Sequence, residues 1–164
     1  MPEAENQCLH EVVVTAIIYQ GDRYFITRRA PSKKRFPGMW TVPGGKLETS
    51  DYTSLKKDTE HYWYNVLENT LRREVREEAG IEIANIQYVT SLATIHPDGN
   101  PSLVISCMAT YASGEVMLQP EECDQYAWVT LEEAKQYQLI DGIYDELLIA
   151  SQRRNGLRGE WKRA

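Results

Sequence analysis

The hydrophobic positions of this chain change period several times, and each change marks an element. Val12 to Tyr19 (Val-Val-Val-Thr-Ala-Ile-Ile-Tyr) is apolar and β-branched, the pattern of a central strand. Gln20-Gly21-Asp22 turns the chain into Arg23–Arg29, so the two runs predict a hairpin. Trp40-Thr41-Val42 predicts a short strand entering the turn Pro43-Gly44-Gly45. Leu67, Leu71 and Val75 then recur at the spacing of a helix face, and Gly80 supplies a C-terminal stop. Ile86–His96 and Ser102–Tyr111 predict two further strands, joined by the turn Pro97-Asp98-Gly99-Asn100. Tyr126-Ala127-Trp128-Val129 predicts another. Thr130-Leu131-Glu132-Glu133 opens a helix as a capping box, with Thr130 as the cap and Glu133 reaching back to it. Ile143–Arg153 is amphipathic and helical, and a basic tail runs on to Arg163. Strands interleaved with helices predict an α/β fold, a mixed β-sheet sandwiched between α-helices.

A length of 164 residues suits one domain, 1–164, with its core at about residues 10–152. The segment Met1-Pro2-Glu3-Ala4-Glu5 is acidic and polar, unlike a signal peptide. No apolar run approaches the roughly 18 residues that span a bilayer. The formal charge of -6 argues against a partner of polymeric nucleic acid, while the basic loop Pro31–Gly38 allows a local phosphate site. Cys8, Cys107 and Cys123 are too few and scattered for a disulfide framework or a zinc cluster. These features predict a cytoplasmic protein with reduced thiols and no membrane partner.

Charge changes the picture most at the end of the predicted helix, Arg73-Glu74-Val75-Arg76-Glu77-Glu78-Ala79-Gly80-Ile81. Glu74 and Glu78 stand at i,i+4 with Glu77 between them, and a like-charged pair at that spacing costs roughly 0.2–0.5 kcal/mol. Acids in a last turn also face the negative end of the helix dipole. A cation reverses both penalties, and hard divalent ions take oxygen ligands. The helix end therefore reads as a metal site.

Gly45 followed by Arg73–Ile81 resembles the Nudix box, G-x5-E-x7-R-E-U-x-E-E-x-G-U with U a bulky aliphatic residue, and the second half matches at every specified position. The approach, Phe25-Ile26-Thr27-Arg28-Arg29-Ala30 and Trp40-Thr41-Val42-Pro43-Gly44-Gly45-Lys46-Leu47-Glu48, is similar to that of MutT-like nucleotide pyrophosphohydrolases. One departure is large. The fifth-spaced acid after Gly45 is Asp51, and residues 52 to 72 separate it from Arg73, 21 residues where the pattern has seven. Counting back from Arg73 instead reaches Asn65. Asp51, Asp58 and Glu60 stay open as stand-ins for the family's first glutamate.

The resemblance implies a Nudix fold and a loop–helix–loop site for Mg²⁺ or Mn²⁺. Glu74, Glu77 and Glu78 are the implied metal ligands, with the carbonyl of Gly44. Arg73 is implied to pair with a box carboxylate, for which a guanidinium fork is suited. Glu122 is implied as a further catalytic acid, with Asp124 in reserve, and either Glu78 or Glu122 as the proton acceptor. Arg28, Arg29 and Lys46 are candidates for substrate phosphates. Trp40 is a candidate for base stacking, against core packing as the bland alternative.

The implied reaction is attack of water on a nucleoside diphosphate linked to a group X. A (deoxy)nucleoside triphosphate is the first expectation. ADP-ribose or a nucleotide-sugar is the close alternative, and a non-catalytic nucleotide sensor is the alternative from another class. The intact acids argue against the sensor. An isopentenyl-diphosphate isomerase would need a catalytic cysteine, for which Cys107 and Cys123 offer no context. The insertion, Thr49 to Tyr64, carries Tyr52, His61, Tyr62, Trp63 and Tyr64. That aromatic density predicts a lid over the substrate or the interface of a homodimer, with a backward extension of the helix as the third alternative.

Overall fold

The computed structural model describes residues 8–163, so the acidic segment Met1–Glu5 lies outside the described residues. Strands β1 (Glu11–Gln20), β2 (Arg23–Arg29), β3 (Trp40–Thr41) and β4 (Gly44–Lys46) come first. Helices α1 (Ser50–Thr53) and α2 (Val66–Ala79) follow, then strands β5 (Glu82–Ile95), β6 (Pro101–Ser113) and β7 (Cys123–Val129). Helices α3 (Leu131–Ala134) and α4 (Ile143–Arg154) close the order. The sheet runs β3-β2-β1-β6-β5, with β4 also on β1 and β7 also on β2.

The sheet is mixed, as the interleaving predicts: β1 lies parallel to β6, while the other pairings are antiparallel. β1 divides its edge between two neighbours. Its end, Tyr19 and Gln20, pairs with β2, and Val13 to Thr15 pair with β4. That division splays the chain open around the Pro43-Gly44-Gly45 turn.

Each face of the sheet has its own core. On one face Leu71, Val75 and Ala79 of α2 bury against Val14, Ala16, Ile18 and Phe25. On the other, Ile143, Leu147 and Ala150 of α4 bury against Ile17, Tyr24, Ile26 and Val42. Adjacent β1 residues thus serve opposite cores, as side-chain alternation along a strand requires. The apolar stripe of α2 fixes which of its sides is left for charge.

Several boundaries differ from the sequence pattern. α2 begins at Val66, because Asn65 adopts the left-handed conformation (φ 55°) and breaks any backward extension into the insertion. Gly80 ends the helix as expected, at φ 72° with its N–H bonded to the Arg76 carbonyl. β5 starts at Glu82 rather than Ile86, since pairing with β6 resumes on both sides of a bulge at Ala84–Gln87 that contains Asn85 at φ 55°. The capping box at Thr130 and Glu133 forms with both of its bonds, although α3 is a single turn. No helix among the described residues is long and apolar enough to cross a membrane.

Candidate active site

Gly44 and Gly45 are where the backbone comes closest to its neighbours. A Cβ on Gly44 would stand 2.8 Å from the Thr15 Cα, and one on Gly45 would collide with the Glu74 carboxylate. Only glycine lets β4 lie on β1 and against α2 at once. The Gly44 N–H donates to Glu78 Oε2 at 3.2 Å. The loop is thereby fastened to the acids of the helix.

Arg73 organises the same acids from the other side. Its Nη2 donates to Asp51 Oδ2 at 3.1 Å, its Nε also bonds Asp51, and it pairs with Glu74 and Glu77 at 3.0 Å each. Asp51, with a side chain only 3% exposed, also accepts the Glu48 N–H at 2.8 Å. Burial acts to raise the Asp51 carboxyl, but the Arg73 guanidinium and the Glu48 N–H hold it below the usual carboxylate range. Of the three acids the spacing left open, Asp51 is the one on Arg73. Asp58 accepts the Tyr64 N–H at 2.9 Å instead, and Glu60 is exposed.

Two of the helix acids hold their protons more tightly than a free carboxylate. Glu78 is half-buried as a residue, with its carboxyl turned to the Gly44 N–H. Burial pushes that carboxyl up to about 8; the Gly44 N–H opposes the shift, and the charges of Glu74 and Glu122 add to it. Glu74 is also raised, first by burial and further by Glu77 and Asp51, against the pull of Arg73.

Glu122 approaches from the segment before β7, where Lys33 Nζ bonds its Oε2 at 2.7 Å. Arg29 feels the charges of Glu78 and Glu122, although burial is the larger influence and lowers it. Its Nε donates to the Arg35 carbonyl at 2.7 Å. The structure therefore brings together Gly44, Arg73, Glu74, Glu77, Glu78, Glu122 and Arg29. Other candidates have other partners. Arg28 bonds Asp124 at 2.8 Å, and Lys46 bonds Glu11 at 3.0 Å. Trp40 meets Tyr137 edge-on at 4.7 Å and packs on the α4-side core. Sequence reasoning passed over Glu11, which accepts from Arg35, Lys46 and Ser102 and is held at about 2, chiefly by the Arg35 bond. An acid opening an apolar strand is its only sequence signal.

Among the described residues no group of three His, Cys, Asp or Glu side chains is already converged to hold an ion. Arg73 engages Glu74 and Glu77. The donors are nonetheless carboxylate oxygens, and the charge of Glu77 acts to raise Glu74 as that of Glu74 acts to raise Glu78, the chemistry that a hard divalent cation suits. A polar cleft of about 430 Å³, lined by Asp51, Arg73, Glu77 and Glu48 among others, adjoins them. The two buried cysteines offer no rival chemistry: burial pushes the Cys107 thiol to about 11 and the Cys123 thiol to about 12.

A glycine-bearing loop fastened to a helix of three acids and an organising arginine, on a mixed sheet between helices, defines the Nudix class of α/β domains. A sequence model of the NUDIX domain matches residues 9–148, and the chain belongs to this family. It is 31% identical over 124 residues to the NAD-capped RNA hydrolase NUDT12 of Macaca fascicularis, covering 74% of this chain and 22% of that protein. The chain thus spans about a fifth of that relative's length. It is 29% identical over 143 residues to the nucleoside triphosphatase NudI of Klebsiella pneumoniae, covering 79% of this chain and 89% of that one. The crystal structure of a MutT Nudix hydrolase from Burkholderia pseudomallei shares the fold, with a TM-score of 0.68 and 22% identity over 85% of this chain and 97% of that one.

Proposed function

We propose that this chain is a divalent-metal-dependent pyrophosphohydrolase whose substrate is a (deoxy)nucleoside triphosphate, cleaved to a monophosphate and pyrophosphate. The carrying observation is the fastening of Gly44 to Glu78 beside Glu74, with Arg73 bridging Asp51, Glu74 and Glu77. Glu74, Glu77, Glu78 and the Gly44 carbonyl would hold Mg²⁺ or Mn²⁺. The metal, when bound, neutralises phosphate oxygens and acidifies water.

The chain's own residues divide the remaining work. Arg73 holds Glu74 and Glu77 in place through Asp51. Glu78, fastened to the Gly44 N–H, and Glu122 are the two carboxylates suited to take the proton from water. Arg29 places a fixed positive charge beside both acids.

Likeness to NudI along 89% of that protein favours the triphosphate. Likeness to NUDT12 supports a second reading, a diphosphate joining two nucleoside-like groups, of which ADP-ribose is the simple case. The charge of -6 weighs against binding a long RNA. A panel of dNTPs, oxidised dGTP, ADP-ribose, nucleotide-sugars and dinucleoside polyphosphates, assayed for pyrophosphate and monophosphate, separates the two. Full activity in excess EDTA overturns the metal mechanism.

A further inference from the structure

The geometry points to Lys33 as a substrate-binding residue that is parked on Glu122 and exchanges it for the substrate's terminal phosphate. This rests on the pyrophosphohydrolase reading and adds a determinant of specificity to it.

The neighbouring cations are committed elsewhere. Arg28 is bound to Asp124, Lys46 to Glu11, and Arg35 to both Glu11 at 2.9 Å and Asp98 at 2.8 Å. Arg29 is held by the Arg35 carbonyl. Lys34 is exposed and makes no ion pair among the described residues. Lys33 alone of these is paired to a member of the acid cluster.

That pair is suited to exchange. The Lys33 and Glu122 side chains are 27% and 43% exposed, and ion pairs so open to water contribute little to stability. A terminal phosphate carries more charge than one carboxylate and offers three acceptor oxygens. Lys33 rides on the loop 30–38, which is anchored at Arg35 and turns through Phe36 at φ 51° and Gly38 at φ 72°. The anchor fixes the loop with Lys33 at Glu122, while the long lysine side chain is able to swing.

The exchange has a chemical consequence. Glu122, once released from Lys33, is free to turn toward the end of α2, against which its neighbour Cys123 packs with its Sγ 3.7 Å from the Glu78 carbonyl. A substrate bearing a terminal phosphate therefore completes the acid cluster by binding. One lacking it leaves Glu122 tied to Lys33.

The test is titration calorimetry with Mg²⁺, using the four α,β-imido deoxynucleoside triphosphates and the matching monophosphates, on the wild-type chain, Lys33→Met and Lys33→Arg. Lys33→Met is expected to weaken the best-bound triphosphate by about tenfold or more, the loss of one charge-assisted bond, and to change its monophosphate by less than about twofold. Lys33→Arg, which keeps a charged donor for phosphate, is expected to hold affinity within about threefold. Unchanged triphosphate affinity in Lys33→Met, or an equal loss for monophosphate, overturns the inference and leaves the pyrophosphohydrolase reading standing. A wild-type chain that neither binds nor hydrolyses any nucleotide overturns both.

Discussion

Asp51 and Arg73 are joined side chain to side chain across the 21 residues of the split box, with the Asp51 carboxylate almost sealed from water. The contact makes Asp51 the acid on which the orientation of Arg73 depends, and through it Glu74 and Glu77. Removing it leaves a guanidinium short of its best partner in a partly buried place. Asp51→Ala is expected to cost about 1–3 kcal/mol, lowering Tm by roughly 3–10 °C for a chain of this size. Turnover falls with it. Glu60→Gln, at an exposed residue of the same insertion, changes neither. Equal behaviour of the two variants in thermal denaturation and pyrophosphate release would sink this assignment.

How much of this was legible in the sequence differs from residue to residue. Leu71 and Val75 announced the buried stripe of α2, and that stripe left Glu74 and Glu78 on the loop side. The glycine pair and the acids were legible because backbone approach and clustered charge each restrict residue type. Asp51 was not, because forward and backward counts disagreed and only a contact in space decides between them. Asn65, the backward candidate, turned out to be the left-handed residue that starts the helix. The bulge that lengthens β5 and the Glu11 hub were hidden for the same reason. Both arise from pairing between distant segments, which local periodicity does not carry.

The two glycines separate stability from chemistry. A methyl group at Gly45 meets the Glu74 carboxylate, a side chain able to rotate away, so Gly45→Ala should fold nearly normally and lose the placement of that acid. Its kcat/KM falls by about tenfold or more, and half-saturation requires more Mg²⁺. A methyl at Gly44 meets the Val14 carbonyl and Thr15 Cα, which are backbone and cannot yield without parting β4 from β1. Gly44→Ala therefore loses stability, by about 1–3 kcal/mol. Urea titration and metal-dependent kinetics on the pair read the difference directly.

Glu78 sets a pH dependence in the metal-free chain. Its carboxyl titrates at about 8 when folded and near 4.5 when unfolded. Between those values the folded chain keeps a proton that the unfolded chain has lost, so its stabilising contribution declines as pH rises through the window. Glu74, shifted in the same direction, adds to the slope. Glu11, held at about 2, acts in a separate window, losing its contribution as pH falls from 4.5 toward 2. Metal-free Tm should therefore decline from about pH 5 to pH 8, and Glu78→Gln should flatten that decline. Added Mg²⁺ should raise Tm by mass action in the wild-type chain and less in the variant. Turnover of Glu78→Gln drops by about a hundredfold or more. A variant with the wild-type pH slope would show that the enclosed charge lies elsewhere.

Trp63 governs the insertion without belonging to either core. Its indole N–H donates to the Leu55 carbonyl at 2.9 Å, its ring lies 5.3 Å from that of Tyr52, and Lys57 sits 5.1 Å above it. The turn beyond is tied by Asp58, which donates its N–H to the Tyr62 carbonyl and accepts that of Tyr64. These contacts lie within the insertion, and its side-chain link to Arg73 of α2 runs through Asp51 at its base. Trp63→Ala should therefore loosen the segment and spare the domain. Limited proteolysis is expected to cut between residues 54 and 65 many times faster, while Tm moves by no more than about 2–4 °C, equivalent to roughly 1 kcal/mol. Tyr62 and Tyr64 stay exposed in the folded insertion, at 63% and 61%. If they cover a substrate, Trp63→Ala raises KM at constant mass in solution. If they join two copies, it shifts a dimer to a monomer in light scattering. An unchanged KM and an unchanged mass would remove both roles and leave the insertion as a spacer that carries Asp51 to Arg73.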